Sequence, residues 1–190
     1  MTVYTTMSSP LGELVLAGER APAGTVLSAL SVAGSGSAVV VGTQWARDDA
    51  AFASVRDQLD AYFAGERTRF EVDYAVGGSE FRRRVWQALD EIPYGRTTTY
   101  GRIAERIGAP RAAVRAVGAA IGANPVLIVR PCHRVIGANG SLTGYAGGLA
   151  GKRRLLELEH GTVARQPSSV AALPPCDGRP VRTDVPMYQL

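Results

Sequence analysis

The sequence predicts an α/β protein in two parts: a mixed, mainly antiparallel sheet unit over residues 1–77, then a mainly helical unit over residues 78–162. Three observations carry this. Short apolar alternations broken by turn residues dominate the first part, whereas capped segments of helical period dominate the second. Hydrophobic residues are 46% of the 190 and charged residues 20%, which supports a packed core and excludes a disordered chain. Charge also changes sign: residues 1–77 hold five arginines against nine carboxylates, net −4, and residues 78–162 hold thirteen bases against six acids, net +7.

In the first part, Val3–Met7 and Glu13–Ala17 read as strands joined by the turn signal Ser9-Pro10-Leu11-Gly12. Val26–Val32 and Ala38–Val41 are further strand candidates across a Gly/Ser-rich turn. Asp48–Ala64 reads as a helix, with Phe52, Val55, Leu59 and Phe63 on one face and Gly65 after its end. Phe70, Val72, Tyr74 and Val76 alternate with polar or small residues, as in a half-buried strand. Val76-Gly77-Gly78-Ser79 marks the boundary.

In the second part, Ser79 caps a helix to about Glu91, with Phe81, Val85, Trp86 and Leu89 as its apolar face. Thr98 or Thr99 caps a short helix carrying Ile103 and Ile107, which stops at Gly108. Pro110 opens the next helix at its first position, and Val114, Val117 and Ile121 line its inner side up to Gly122. Two short helices across a tight turn fit a helix-turn-helix and an αα-corner equally well. Val126–Val129 reads as a buried strand, Asn139-Gly140 as a hairpin turn, and Gly151–His160 as a last helix ending at Gly161. Residues 163–190, with five prolines from Gln166 onward, read as a flexible tail.

Composition excludes several classes. Two cysteines, Cys132 and Cys176, make no disulfide scaffold, and two histidines, His133 and His160, are too few for a structural zinc site. No apolar run approaches the ~20 residues of a membrane span, and the N-terminus lacks a signal-peptide pattern, so a cytoplasmic setting is expected. The basic second half fits a polyanionic partner such as nucleic acid, or merely a solvated basic surface.

The chemistry concentrates at Cys132 and His133. A thiol attacks well as thiolate, so it needs a base, and an imidazole base needs an orienting partner. Glu159 is the candidate, because it shares a helix face with Leu155 and Leu156, where an unpaired carboxylate is costly. These three residues alone fit a buried inert cysteine beside a surface histidine better than a reactive one.

The longer string is more specific. Asn124-Pro125, then Pro131-Cys132-His133-Arg134-Val135-Ile136, then Gly144-Tyr145-Ala146-Gly147-Gly148-Leu149 resembles the O6-alkylguanine-DNA alkyltransferases, the methylated-DNA–protein-cysteine methyltransferase family. The blocks Ile92-Pro93-Tyr94-Gly95, Arg115-Ala116-Val117-Gly118 and Lys152 to Glu159 match as well, so the resemblance covers about Thr2 to Gly161.

The resemblance implies a ribonuclease-H-like N-terminal domain (1–77) and a winged-helix or helix-turn-helix-like alkyltransferase domain (78–162). It implies that Cys132 accepts the alkyl group, that His133 activates it through a water, and that Glu159 orients His133. It makes Tyr100 the proton donor that also helps rotate the nucleotide, Arg115 the finger that fills the vacated stack, and Asn124 the hinge residue. Thr99, Arg111 and Gly118 join Tyr100 and Arg115 in contacting DNA, while Val135, Tyr145, Ala146 and Ile121 form the pocket. The implied partner is double-stranded DNA carrying O6-alkylguanine, entered from the minor groove and bound by a monomer, with cooperative loading left open. No cofactor, metal or membrane is implied.

Helical spacing supports the finger, since Arg111, Arg115, Gly118 and Gly122 share one face, where small residues permit close approach to DNA. The chain also departs from the family pattern. Ala146 stands where some members carry serine, and Arg130 stands where an apolar residue is common, which places it at an exposed strand edge. The rivals are a non-catalytic lesion-binding relative, against which Cys132 argues, and a cysteine hydrolase, which would turn over many times.

Overall fold

Side chains of Thr2–Ser9 (β1) alternate inward at Val3, Thr5 and Met7, the period of a strand with one buried face. A computed structural model describes residues 1–21, 24–36, 38–75 and 77–165. Of the tail anticipated over 163–190, residues 163–165 instead continue the last helix, and the rest, with Cys176, lies outside the described residues, as does Val76. β1 turns at Gly12 (φ +104) into Gly12–Ala21 (β2), which pairs antiparallel with Gly24–Val32 (β3). The pair Ala46–Arg47 (β4) lies parallel to β1, so the sheet order is β3-β2-β1-β4.

The predicted strand Ala38–Val41 does not form. β4 occupies the free edge of β1, and Val40 is left 85% exposed. Two further predicted strands, Phe70–Val76 and Val126–Val129, also do not form. They share the outer edge of β3, each through one isolated bridge: Leu27 with Tyr74 and Leu30 with Val126. Residues Phe70–Ala75 keep the alternating burial without the ladder. The edge is thereby covered rather than extended.

The helices follow their caps. A 3₁₀ turn at Ala50–Phe52 precedes Ala53–Phe63 (α1), a later start than Asp48, and Gly65 (φ +77) follows its end. Ser79 Oγ accepts from the Arg82 amide to start Glu80–Asp90 (α2), and Thr99 Oγ1 accepts from the Arg102 amide to start Tyr100–Arg106 (α3). Pro110 acts as a cap rather than a first helical residue. A 3₁₀ turn, Arg111–Ala113, intervenes before Val114–Gly122 (α4). Thr98–Thr99 (β5) pairs parallel with Val135–Ile136 (β6), so the Asn139-Gly140 turn closes a loop, not a hairpin. The last helix, Leu149–Arg165 (α5), runs straight through Gly161.

One core spans both parts. Leu14, Leu16, Leu27 and Leu30 of the sheet join Phe52 and Leu59 of α1, Trp86 and Leu89 of α2, and Val117 and Ile121 of α4. Among the described residues, no helix is long and apolar enough to cross a membrane.

Candidate active site

The segment from Asn124 to Arg134 carries the nucleophile, and Asn124 shapes it. Its Nδ2 donates to the Arg130 carbonyl (3.0 Å) and to Cys132 Sγ (3.1 Å), while its Oδ1 accepts from the Val126 amide (3.2 Å). The apolar run between is buried because it packs, yet its backbone turns. Ile128 sits at φ 70, a strained position for a β-branched residue, held by bonds from the Val129 and Arg130 amides to Leu127 and Val126. Cys132, His133 and Arg134 then form one 3₁₀ turn, all buried.

Arg130 is not at an exposed edge. It is 4% exposed, with Nε and Nη2 on Asp90 (3.0 and 3.2 Å) and its guanidinium 4.9 Å from the Tyr74 ring and 5.2 Å from the Trp86 ring. A flat cation between two rings is stable where an isolated charge would not be.

Glu159 is the hub. It is fully buried on α5, on the stripe of Lys152, Leu155, Leu156 and Thr162. Oε1 accepts from Tyr62 Oη (2.7 Å), His133 Nε2 (2.8 Å) and Arg134 Nη2 (2.9 Å). Oε2 accepts from Arg134 Nε (2.9 Å) and the Gly95 amide (2.9 Å). Gly95 is required there: its φ is +68, and a Cβ would lie 2.5 Å from Val163 Cγ2.

Burial alone would raise the Glu159 pKa, but His133 and Arg134 hold it down at about 2. The carboxylate is therefore acceptor-only, and the proton in its bond to His133 sits on Nε2. That leaves Nδ1, which is buried and has no hydrogen-bond partner among the described residues, as the basic nitrogen. Burial lowers the His133 pKa despite the opposing pull of Glu159, so the ring is neutral. Burial also pushes the Cys132 thiol up to about 11, against the Asn124 amide and the Lys152 charge. The resting pair is thus a thiol beside a neutral imidazole.

Above this cluster lies a cleft of about 770 Å³, lined by Tyr100, Gly118, Ile121, Tyr145 and Ala146 and, from the N-terminal unit, by Val32–Gly36. The Tyr145 ring stands edge-on to His133, centroids 6.4 Å apart, so one ring separates the cleft from the base. Tyr100 Oη donates to the Thr143 carbonyl (2.9 Å). Lys152 Nζ donates to the carbonyls of Val135 and Thr143 (both 2.6 Å), and together these bonds pin the loop that carries Tyr145 and Ala146. Val135, placed in the pocket by the sequence, is instead fully buried and is not among the residues lining the cleft, and its carbonyl is taken by Lys152.

Arg115 is exposed on α4, and Gly118 packs 3.8 Å from the Tyr100 ring as measured from where a Cβ would stand. Arg111 lies on the 3₁₀ turn rather than on α4, so the predicted four-residue helix face is interrupted. Thr99 is half-buried, and its hydroxyl caps α3.

Of the residues the sequence points to, the fold sets Asn124 against the Cys132 sulfur and Glu159 against the ring of the next residue, His133. Sequence patterns assign no role to Arg134, Gly95, Lys152 or Tyr62. Arg134 and Gly95 stood inside quoted motifs. Lys152 is the chain's single lysine. Tyr62 carried no signal, being one aromatic on an amphipathic helix.

The family 6-O-methylguanine DNA methyltransferase matches in two pieces: its ribonuclease-like domain over residues 2–75 and its DNA-binding domain over residues 80–161. The methylated-DNA–protein-cysteine methyltransferase of Mycobacterium tuberculosis is 53% identical over 159 residues, covering 84% of this chain and 93% of that protein. The one from Methanosarcina acetivorans is 47% identical, covering 82% and 97%. The M. tuberculosis O6-methylguanine methyltransferase crystal structure superposes with a TM-score of 0.76 at 51% identity, covering 85% of this chain and 94% of that one. The M. tuberculosis OGT solved in complex with DNA gives 0.75 at 51% identity, covering 84% and 93%.

Proposed function

Because the chain belongs to the methylated-DNA–protein-cysteine methyltransferase family, we propose that it repairs DNA by moving the alkyl group of O6-alkylguanine, chiefly O6-methylguanine, irreversibly onto Cys132. The observation that carries this reading is the Cys132 thiol, 3.1 Å from the Asn124 amide, beside a neutral His133 backed by Glu159.

The duplex binds through its minor groove along α4. Arg115 enters the stack as the modified guanine rotates into the cleft, past Tyr100 and against Tyr145, Ile121 and Ala146. Extrusion costs a few kcal/mol, which a planar arginine in the gap partly offsets. Thr99, Arg111 and Gly118 hold the backbone close. No metal or organic cofactor takes part, and the protein works in the cytoplasm.

In the transfer step the Cys132 proton passes toward His133 Nδ1, directly or through a water. Sulfur forms a bond to the alkyl carbon while the carbon–O6 bond breaks. Guanine leaves with the electron pair and takes a proton from Tyr100. The imidazolium that forms faces the Glu159 carboxylate. With its pKa near 11, the thiol is idle until this relay is engaged, which protects a buried nucleophile from unwanted reactions. The product is a thioether. Water does not cleave it, so each molecule acts once.

The test is intact mass spectrometry after incubation with a methylguanine-containing duplex. The expected result is one methyl group per protein, mapped to Cys132, with no further turnover. Repeated turnover without mass gain would indicate a hydrolase instead.

A further inference from the structure

We propose that Tyr62, from the helix of the N-terminal unit, is a positioning residue for alkyl transfer: its hydroxyl shares the Glu159 oxygen that faces His133 and so sets how strongly that carboxylate engages the base. The proposal rests on the alkyltransferase reading above.

Tyr62 is fully buried, and its Oη lies 2.7 Å from Glu159 Oε1, the oxygen 2.8 Å from His133 Nε2. The other donors to Glu159, namely His133, Arg134 and Gly95, all come from the C-terminal unit. Tyr62 is thus the direct polar link from the sheet unit to the base. The ring is fixed by Phe70 (centroids 5.2 Å) and Tyr94 (5.9 Å), so the hydroxyl has one place to point. Burial and the Glu159 charge push its pKa well above 10, and it remains a donor throughout.

Each donor that Oε1 accepts draws charge away from the others. Removing the Tyr62 hydroxyl leaves more of the carboxylate's charge for His133, which becomes more basic. The remaining charged and titratable neighbours stay in place: Arg134 on the turn, Lys152 on α5, Tyr94 before α3, Tyr145 over the ring, and Cys132 itself. Transfer needs neutral His133, so its acid limb falls as pH drops through the His133 pKa. A raised pKa moves that limb to higher pH.

The experiment uses the full chain with Tyr62→Phe, which keeps the ring. The chain has only two histidines, and His160 is exposed, so ring NMR titration reads His133 with an internal control. We expect His133 to titrate roughly half to one pH unit higher, His160 to stay put, and the acid limb of transfer from free O6-benzylguanine to move equally. Site-specific 3-fluorotyrosine at position 62, a stronger donor of nearly the same shape, should shift both the opposite way. Phe70→Leu disturbs the same aromatic cluster but keeps the hydroxyl, and should move neither. Unchanged His133 titration and profile in both Tyr62 variants, or an equal shift in Phe70→Leu, would overturn the proposal. The NMR readout does not depend on activity. Failure of wild-type alkylation would overturn the functional reading instead.

Discussion

Around Glu159 every charged group is buried with partners within 3.2 Å, whereas on the α4 side Arg111 and Arg115 are exposed. The two regions obey different physics. In the buried hub a missing partner leaves an uncompensated charge in low dielectric, so errors there are paid in stability and in pKa. On the exposed face water screens each arginine, so it adds little to the fold, and under the proposed function its worth is against DNA. Substitutions in the hub should therefore change the protein itself, and substitutions on α4 only its meeting with the duplex.

The largest effect should come from the Cys132 sulfur. Cys132→Ser should abolish transfer while duplex affinity changes less than about threefold, because serine keeps the size but offers no accessible anion near neutral pH. Alkylated mass and a binding titration on the same sample check both halves. A serine variant that still gains the methyl group would move the acceptor elsewhere.

Next comes Glu159→Gln. The folded carboxylate titrates at about 2 against an ordinary 4.5, a depressed pKa. Its stabilisation is present above about pH 4.5 and is lost as pH falls toward 2, an amount on the order of 3 kcal/mol. Glutamine removes that dependence and leaves Arg134 unpaired. Urea unfolding from pH 2 to 7 should show the wild-type curve falling in this window and the variant lower and flatter. Parallel curves would mean that Glu159 is not the buried anion that holds the hub together.

Arg115→Ala should sharpen the contrast from the other side. Stability should change by less than about 0.5 kcal/mol, as at an ordinary surface site. Repair of duplex should slow about tenfold for each ~1.4 kcal/mol of lost stack filling, while reaction with free O6-benzylguanine stays intact. Arg115→Lys should rescue poorly, since lysine lacks the planar group. An unchanged ratio of duplex to free-base rates would reduce Arg115 to a surface charge.

The smallest effect should be at Arg130. Asp90 is one-third exposed and can rehydrate, so Arg130→Met should cost no more than about 1 kcal/mol. Asp90→Ala strands a guanidinium that is nearly buried and should cost more, about 2 kcal/mol. Equal costs from the two variants, in chemical denaturation, would show that the rings alone hold the arginine.

What could be read in the sequence was local. Ser79 and Thr99 bear hydroxyls that cap their own helices three residues on, so α2 and α3 were predictable from neighbours. The Cys132-His133 pair and the helical spacing of Glu159 with Leu155 also lie within reach of pattern. Strand partners do not. Phe70–Ala75 and Val126–Val129 have the burial of strands, but only the sheet decides that both compete for one edge of β3. The same holds for polar contacts. Tyr62 and Glu159 are 97 positions apart, and Arg130 and Asp90 are 40 apart, so no period or motif joins them. No spacing around Lys152 signals the three carbonyls that the fold sets around its ammonium. Periodicity tells whether a side chain is buried. Which buried group it meets is settled by chain packing at long separation, and in a low-dielectric interior that meeting determines each pKa.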